Sequence, residues 1–187
     1  MAIQQDEHVL ALLERLSRII HNDAGGQGLK PAQWEALRFF AQANRFSRTP
    51  SALTAYMGIT KGTVSQTLSA LERKGFIEKV QDTGDRRSVS IALTKAGKSL
   101  LQDDPLQALS QPIMNLQKNK RKELSSSLSS VLATALEQRS GMPFGVCKSC
   151  KYFKRNVTGG NPHQCSLLEV PLSSEDSELI CREQVSS

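Results

Sequence analysis

Four cysteines in the last quarter of the chain are the residues whose spacing most directly suggests chemistry. Cys147 and Cys150 form a C-x2-C pair, followed after 14 residues by Cys165 and after a further 15 by Cys181. A C-x2-C pair places two thiolates on one side of a turn, and two more sulfurs brought in by folding complete a tetrahedral set of four. The sequence therefore predicts that these four residues bind a metal, as zinc or as an iron–sulfur cluster.

Three interpretations of the cysteine segment remain open: a structural zinc site, a sensory iron–sulfur cluster and a metal-free disulfide switch. Zinc ribbons normally bring a second C-x2-C pair, whereas cluster ligands often come from scattered loops, as here. His163, two residues before Cys165, is a further candidate ligand, although a lone loop histidine is more often only solvated. Lys148, Lys151 and Lys154 surround the first two cysteines, so they are expected to lower the thiol pKa.

A second group of residues suited to chemistry lies on one side of a predicted helix that begins at Thr60 and ends at Gly75. Val64, Leu68 and Leu71 form its apolar stripe, so the opposite side faces solvent. An α-helix fits the DNA major groove, where short polar side chains approach base edges and glutamine pairs with adenine. The predicted DNA contacts on this helix are Lys61, Thr63, Ser65, Gln66, Ser69 and Arg73.

A shorter helix is predicted immediately before this one. Thr49 is a helix cap, Pro50 suits the first helical position, and Gly58 suits the left-handed turn that ends a helix. Two helices joined by such a tight turn form a helix-turn-helix.

The pattern after Gly75 changes from helical to alternating, which predicts strands at 76–80 and 89–93 and a charged turn between them. This hairpin is a wing. Arg86 and Arg87 at its tip are expected to reach along a duplex into a minor groove.

Apolar residues at helical spacing predict a helix around 9–20, another beginning at Pro31, and a final one around 124–136. Pro105 and Pro112 must interrupt or kink the helix that follows the wing.

Composition limits the classes of protein that fit. The chain has 187 residues and a net charge of +6, which is too short for a large multidomain enzyme and basic enough to suggest an anionic partner. Between Arg48 and Lys98 nine basic residues stand against four acidic ones, so most of the excess charge lies in the winged segment. No run approaches the roughly 18 to 20 apolar residues of a membrane span, so we expect a cytoplasmic protein without a membrane partner.

The winged segment resembles the MarR family of winged helix-turn-helix transcription factors. The resemblance covers roughly residues 5 to 139, and its most specific parts are TVSQTLSALERKGFI at 63–77, DTGDRRS at 82–88 and LTKAG at 93–97. It implies a homodimer in which the first helix pairs with the last two helices, and a pseudo-palindromic DNA site. Family members usually repress transcription and release DNA when an effector changes the spacing of the two recognition helices.

One position departs from the family pattern. Many relatives carry an arginine where this chain has Gly84, which leaves Arg86 and Arg87 to make the wing contact.

The sequence thus predicts a mainly α protein with a small β-hairpin wing, divided into residues 1–140, a winged-helix DNA-binding and dimerisation domain, and residues 141–187, a four-cysteine metal- or cluster-binding segment. The predicted function is that of a dimeric transcription factor, a repressor, that binds a pseudo-palindromic site in double-stranded DNA. It is predicted to respond to metal or redox state through the cysteines. The alternative is a metal-bearing winged-helix adaptor that binds protein and no specific DNA. No catalytic base or cofactor loop suggests an enzyme, and the small-molecule effector is unknown.

Overall fold

The structure of the chain, a computed structural model, describes residues 4–23, 28–81, 89–139, 141–157 and 162–185. It is mainly helical, as predicted, with a two-stranded wing and a small β-rich unit at the C-terminal end. The helices are α1 (Gln5–Asp23), α2 (Pro31–Gln42), α3 (Pro50–Met57), α4 (Lys61–Arg73), α5 (Lys95–Leu100), α6 (Ser110–Met114), α7 (Lys118–Gln138) and α8 (Ser174–Glu178). The strands are β1 (Ile77–Gln81), β2 (Val89–Leu93), β3 (Gly145–Val146), β4 (Phe153–Arg155), β5 (His163–Cys165), β6 (Val170–Leu172) and β7 (Ile180–Cys181).

The core lies between α2, α3, α4 and the wing. Trp34 and Phe39 of α2 are fully buried, and they belong to the same buried cluster as Val64, Leu68 and Leu71, the apolar stripe of α4. Burial of large apolar side chains is the main favourable contribution to folding, so these residues fix the position of α4. Trp34 therefore belongs to the core.

The ends of α3 and α4 follow the predicted capping residues. Thr49 Oγ1 accepts a hydrogen bond from the Ala52 amide, and Thr60 Oγ1 accepts one from the Thr63 amide. Gly58 ends α3 at φ 63°, a left-handed conformation in which a Cβ atom is unfavourable. The helix-turn-helix is therefore confirmed, with the turn at the predicted residues.

The wing is an antiparallel hairpin in which Ile77 pairs with Leu93 and Gln81 pairs with Val89. Its first strand begins one residue later than predicted. The tip, residues 82–88, lies outside the described residues, and with it lie Gly84, Arg86 and Arg87.

The helix that follows the wing is interrupted before Pro105, as predicted, whereas Pro112 lies within the short helix α6. Helix α5 ends at Leu100, and two short 3-10 helices follow, at Leu101–Asp103 and Pro105–Leu109. Between them, Asp104 accepts two hydrogen bonds of 2.7 Å from the Arg38 guanidinium. This bidentate pair ties the interrupted segment to α2.

Helices α1 and α7 carry apolar stripes that the rest of the described chain leaves uncovered. Leu10 of α1 is 66% exposed and Val131 of α7 is 61% exposed. Helix α7 has no buried residue along its 21 positions. No helix among the described residues is long and apolar enough to cross a membrane.

The C-terminal unit consists of two small antiparallel sheets and the one-turn helix α8. Strand β3 pairs with β7, while β5 lies between β4 and β6. The unit packs onto the winged domain, since Phe144 and Ile180 contact its core.

Candidate functional site

The outer face of α4 is open along its length. All six residues predicted to contact DNA from this helix are exposed, while Val64, Thr67, Leu68 and Leu71 are buried beneath them. Clefts of about 270 Å³ and 390 Å³ border the helix on its α3 side and on the side of the start of α2. The helix therefore stands as a ridge with its polar side chains accessible. The six exposed residues predicted to contact DNA are Lys61, Thr63, Ser65, Gln66, Ser69 and Arg73.

The basic residues around α4 differ in how they are engaged. Lys79 Nζ lies 2.6 Å from Glu72 Oε2, and Lys74 Nζ donates to the Gly28 carbonyl at 2.6 Å. Within the described ranges, the side chains of Lys61 and Arg73 have no hydrogen bond or ion pair. Their charges are thus available to an anion such as a phosphate group.

The four predicted metal ligands lie in two neighbouring parts of the C-terminal unit. Cys147 and Cys150 begin and follow a 3-10 turn, in which the Cys150 amide donates to the Cys147 carbonyl at 3.0 Å. Cys181 ends β7, and Cys165 ends β5. All four are free thiols, and Cys147 and Cys181 are buried.

The thiols are close enough to interact electrostatically. Burial raises the pKa of Cys147 to about 12, and the charges of Cys181, Cys165 and Cys150 act in the same direction. The expectation that neighbouring lysines lower the thiol pKa is therefore wrong for Cys147. Two of the three lysines are engaged by other groups: Lys148 pairs with Glu178, and the Lys151 ammonium lies 5.0 Å from the Tyr152 ring centroid.

The cysteines are not arranged as a finished metal site. Across the described ranges, no three Cys, His, Asp or Glu side chains form a group that could hold a metal ion as they stand. His163 packs on the Phe153 ring, with centroids 4.9 Å apart, and its buried Nδ1 atom has no hydrogen-bond partner among the described residues. Metal binding by these residues therefore stays a prediction, and so does a ligand role for His163.

Contacts that the sequence did not indicate join the C-terminal unit to the winged domain. Ala43, just after α2, forms a parallel bridge with Ile180, and the Asn44 amide donates to the Ile180 carbonyl at 2.9 Å. The Arg182 amide donates to Ser47 Oγ at 2.9 Å. These partners are about 135 residues apart, so no local sequence signal could have paired them.

Comparison with known proteins supports the same assignment of the fold. Residues 27–88 match the model of the MarR family. The HTH-type transcriptional repressor YetL of Bacillus subtilis is 28% identical over 89 residues, which are 48% of this chain and 53% of that protein. The match thus spans about half the length of the curated relative.

Solved structures share the fold at lower identity. FabT of Streptococcus pneumoniae in complex with DNA has a TM-score of 0.57 at 24% identity, covering 71% of this chain and 96% of that one. CouR of Rhodococcus jostii RHA1 bound to p-coumaroyl-CoA has a TM-score of 0.58 at 18% identity, covering 70% and 94%. Wild-type MarR from E. coli has a TM-score of 0.52 at 21% identity, covering 71% and 98%. The chain therefore contains a winged helix-turn-helix whose residues 27–88 match the MarR family model, and its fold is similar to that of these solved structures.

Proposed function

We propose that the protein is a transcriptional regulator, acting as a repressor, that reads double-stranded DNA with the outer face of α4. Helix α4 is divided into a buried apolar face and an open polar face, on which the side chains of Lys61 and Arg73 have no partner among the described residues. The repressor function of the relative YetL and the DNA complex of FabT support it.

The residues of α4 divide by the kind of contact they suit. Gln66, Ser65 and Ser69 are short enough to reach base edges in a major groove, where glutamine recognises adenine. Lys61 and Arg73 stand at the two ends of the helix and suit the phosphates that flank the groove. Base contacts then select the sequence, and phosphate contacts fix the position of the helix.

The functional form in this proposal is a homodimer. The uncovered stripes of α1 and α7 are larger than isolated surface apolar residues and mark an interface. A second copy of the chain is the occupant, because a two-fold pair of α4 helices would read two half-sites about one helical turn apart, a pseudo-palindrome. Arg86 and Arg87 of the wing tip are proposed to add contacts in the flanking minor grooves.

Salt-dependent binding to duplex DNA tests the role of α4. Lys61→Ala should weaken binding to all sequences and lower the slope of log affinity against log salt by about 1, because one phosphate contact is lost. Lys154→Ala, which removes the same charge from the exposed strand β4, should leave the slope unchanged. Equal slopes for wild type and Lys61→Ala would remove this residue from the interface.

Sequence preference tests the base contacts separately. Gln66→Ala should reduce discrimination at one base pair of each half-site, by about 1–3 kcal/mol, while keeping the salt slope. An unchanged preference would show that Gln66 does not read DNA.

A further inference from the structure

We propose that the four cysteines form one thiolate metal centre and that loading this centre stabilises the winged helix through a tail joint. The tail joint is defined here as the contact of Ile180 and Arg182 with Ala43, Asn44, Ser47 and Ser51. Resting on the proposed function, the inference is that the loaded centre also strengthens DNA binding.

Backbone pairing connects the C-x2-C turn to the strands that carry the other two cysteines. Cys181 pairs with Gly145, two residues before Cys147, and the Cys147 amide donates to the Leu179 carbonyl at 3.0 Å. Cys165 pairs with Phe153, whose amide donates to the Cys150 carbonyl at 3.0 Å. Each member of the C-x2-C turn is therefore held against the strand that carries one of the other two cysteines.

The turn also offers a hydrogen bond suited to a thiolate. The Val185 amide lies 3.5 Å from Cys150 Sγ, and the Lys151 amide donates to the Val185 carbonyl at 2.9 Å. Backbone N–H groups directed at sulfur support metal-bound thiolates and tune iron–sulfur clusters. Val185 lies four residues beyond Cys181 in the sequence, so this bond connects the C-x2-C turn to the segment that follows Cys181.

Soft thiolates select zinc or iron–sulfur centres over hard cations such as magnesium. The sulfurs must draw together around the metal, and each ligand must be deprotonated, so loading releases protons and tightens the unit. The unit has few buried apolar residues, and metal bonds would therefore supply much of its order.

The tail joint connects the metal centre to the winged domain, because Ile180 and Arg182 directly flank the proposed ligand Cys181. Ile180 precedes Cys181 and bonds through its carbonyl to the Asn44 amide at 2.9 Å. Arg182 follows Cys181 and donates through its amide to Ser47 Oγ, and through Nη1 to Ser51 Oγ, each at 2.9 Å. Ser51 lies in the first turn of α3, the first helix of the helix-turn-helix.

Two further contacts strengthen the connection. The Arg45 Nε atom lies 3.7 Å from a carboxylate oxygen of the buried Asp176, which forms a capping box with Ser173 at the start of α8. The Phe144 ring packs edge-on against Phe39 and Tyr56, with centroids 5.9 Å and 5.3 Å away. The C-terminal unit is thus held against α2, α3 and the loop between them.

The first test measures metal binding by the full-length reduced protein, purified without oxygen. Metal and acid-labile sulfide are determined on the protein as isolated, and the stripped protein is titrated with Zn²⁺ while proton release is recorded. One zinc per chain, or iron with sulfide, supports the centre and distinguishes its two forms. Protein isolated without metal that also takes up no zinc overturns the proposal.

Variants assign the ligands. Cys181→Ser and, as a second ligand variant that is less buried, Cys150→Ser should each weaken zinc binding at least about tenfold. Ser166→Ala is the matched control, because it removes a hydrogen bond to the Tyr152 carbonyl in the same unit and keeps all four thiols. Equal zinc binding by both cysteine variants and wild type would overturn the ligand assignment.

The second test measures the coupling without DNA. Trp34 is the chain's only tryptophan and lies in the winged core, so its fluorescence reports the unfolding of that domain. Loading zinc should raise the denaturation midpoint seen by Trp34. Arg182→Ala, which keeps every thiol and breaks the bond to Ser51, should still bind zinc but show a smaller shift. An identical midpoint with and without zinc in the wild type overturns the coupling.

The third test adds DNA. The zinc-loaded protein should bind its selected duplex at least about fivefold more tightly than the stripped protein. Equal DNA affinity of the zinc-loaded and the stripped protein would overturn the inference that metal loading strengthens DNA binding. If neither state binds DNA while the Trp34 shift is present, the proposed function fails, and the centre and its coupling stand.

Discussion

Gly97 lies where α5 passes closest to the wing. A Cβ atom at this position would lie 2.1 Å from the Phe76 carbonyl oxygen, which is backbone and cannot rotate away. We expect Gly97→Ala to destabilise the protein by about 1–3 kcal/mol, the usual cost of overpacking. Denaturant unfolding followed by Trp34 fluorescence measures this loss.

Gly62 provides the matched control for that substitution. It lies in the first turn of α4, and an added Cβ atom would meet only Thr60 Oγ1, at 3.8 Å. Gly62→Ala should leave stability unchanged or raise it by up to about 1 kcal/mol, because alanine favours helix. If both variants are as stable as wild type, the close approach of α5 to the wing is wrong.

At the scale of elements, the Arg38–Asp104 pair decides how the segment after α5 is held against α2. The Asp104 side chain is only 6% exposed, and it also accepts from the Leu106 amide. A buried carboxylate that loses its partner is costly, so Arg38→Ala should destabilise the protein by about 3 kcal/mol. A double-mutant cycle with Asp104→Asn should give a coupling of about 1 kcal/mol or more.

The control for this cycle is the exposed pair of Arg18 and Glu14 on α1, with side chains 68% and 65% exposed. Its coupling should be about 0.5 kcal/mol or less, because solvent and salt screen it. Equal couplings for the two pairs would mean that the Arg38–Asp104 bond does not hold the segment in place.

The elements also show which signals a sequence carries. Local patterns predicted α3, α4 and the wing, because capping residues, glycines at positive φ and a change of period act within a few residues. They did not predict the docking of the C-terminal unit, since Arg182 and Ser47 meet only through tertiary packing. The raised pKa of Cys147 was missed for the same reason, because burial decided it and the nearby lysines did not.

At the scale of the whole molecule, the uncovered stripe of α7 predicts how the protein associates. Leu132 is 58% exposed within a row of apolar residues on this helix. Leu132→Glu should place a charge in the dimer interface and give a monomer in sedimentation experiments, with weaker DNA binding. Ser130→Glu, an exposed site on the opposite side of α7, should leave the dimer intact. A wild-type protein that sediments as a monomer would contradict the proposed assembly.

Selection of binding sites from a pool of random duplexes, with the full-length protein at low salt, tests whether a dimer reads DNA with α4. We predict an enriched motif with two related half-sites about one helical turn apart, and loss of preference at one base pair of each half-site in Gln66→Ala. A pool without any enriched motif would contradict it and favour a winged helix that binds protein.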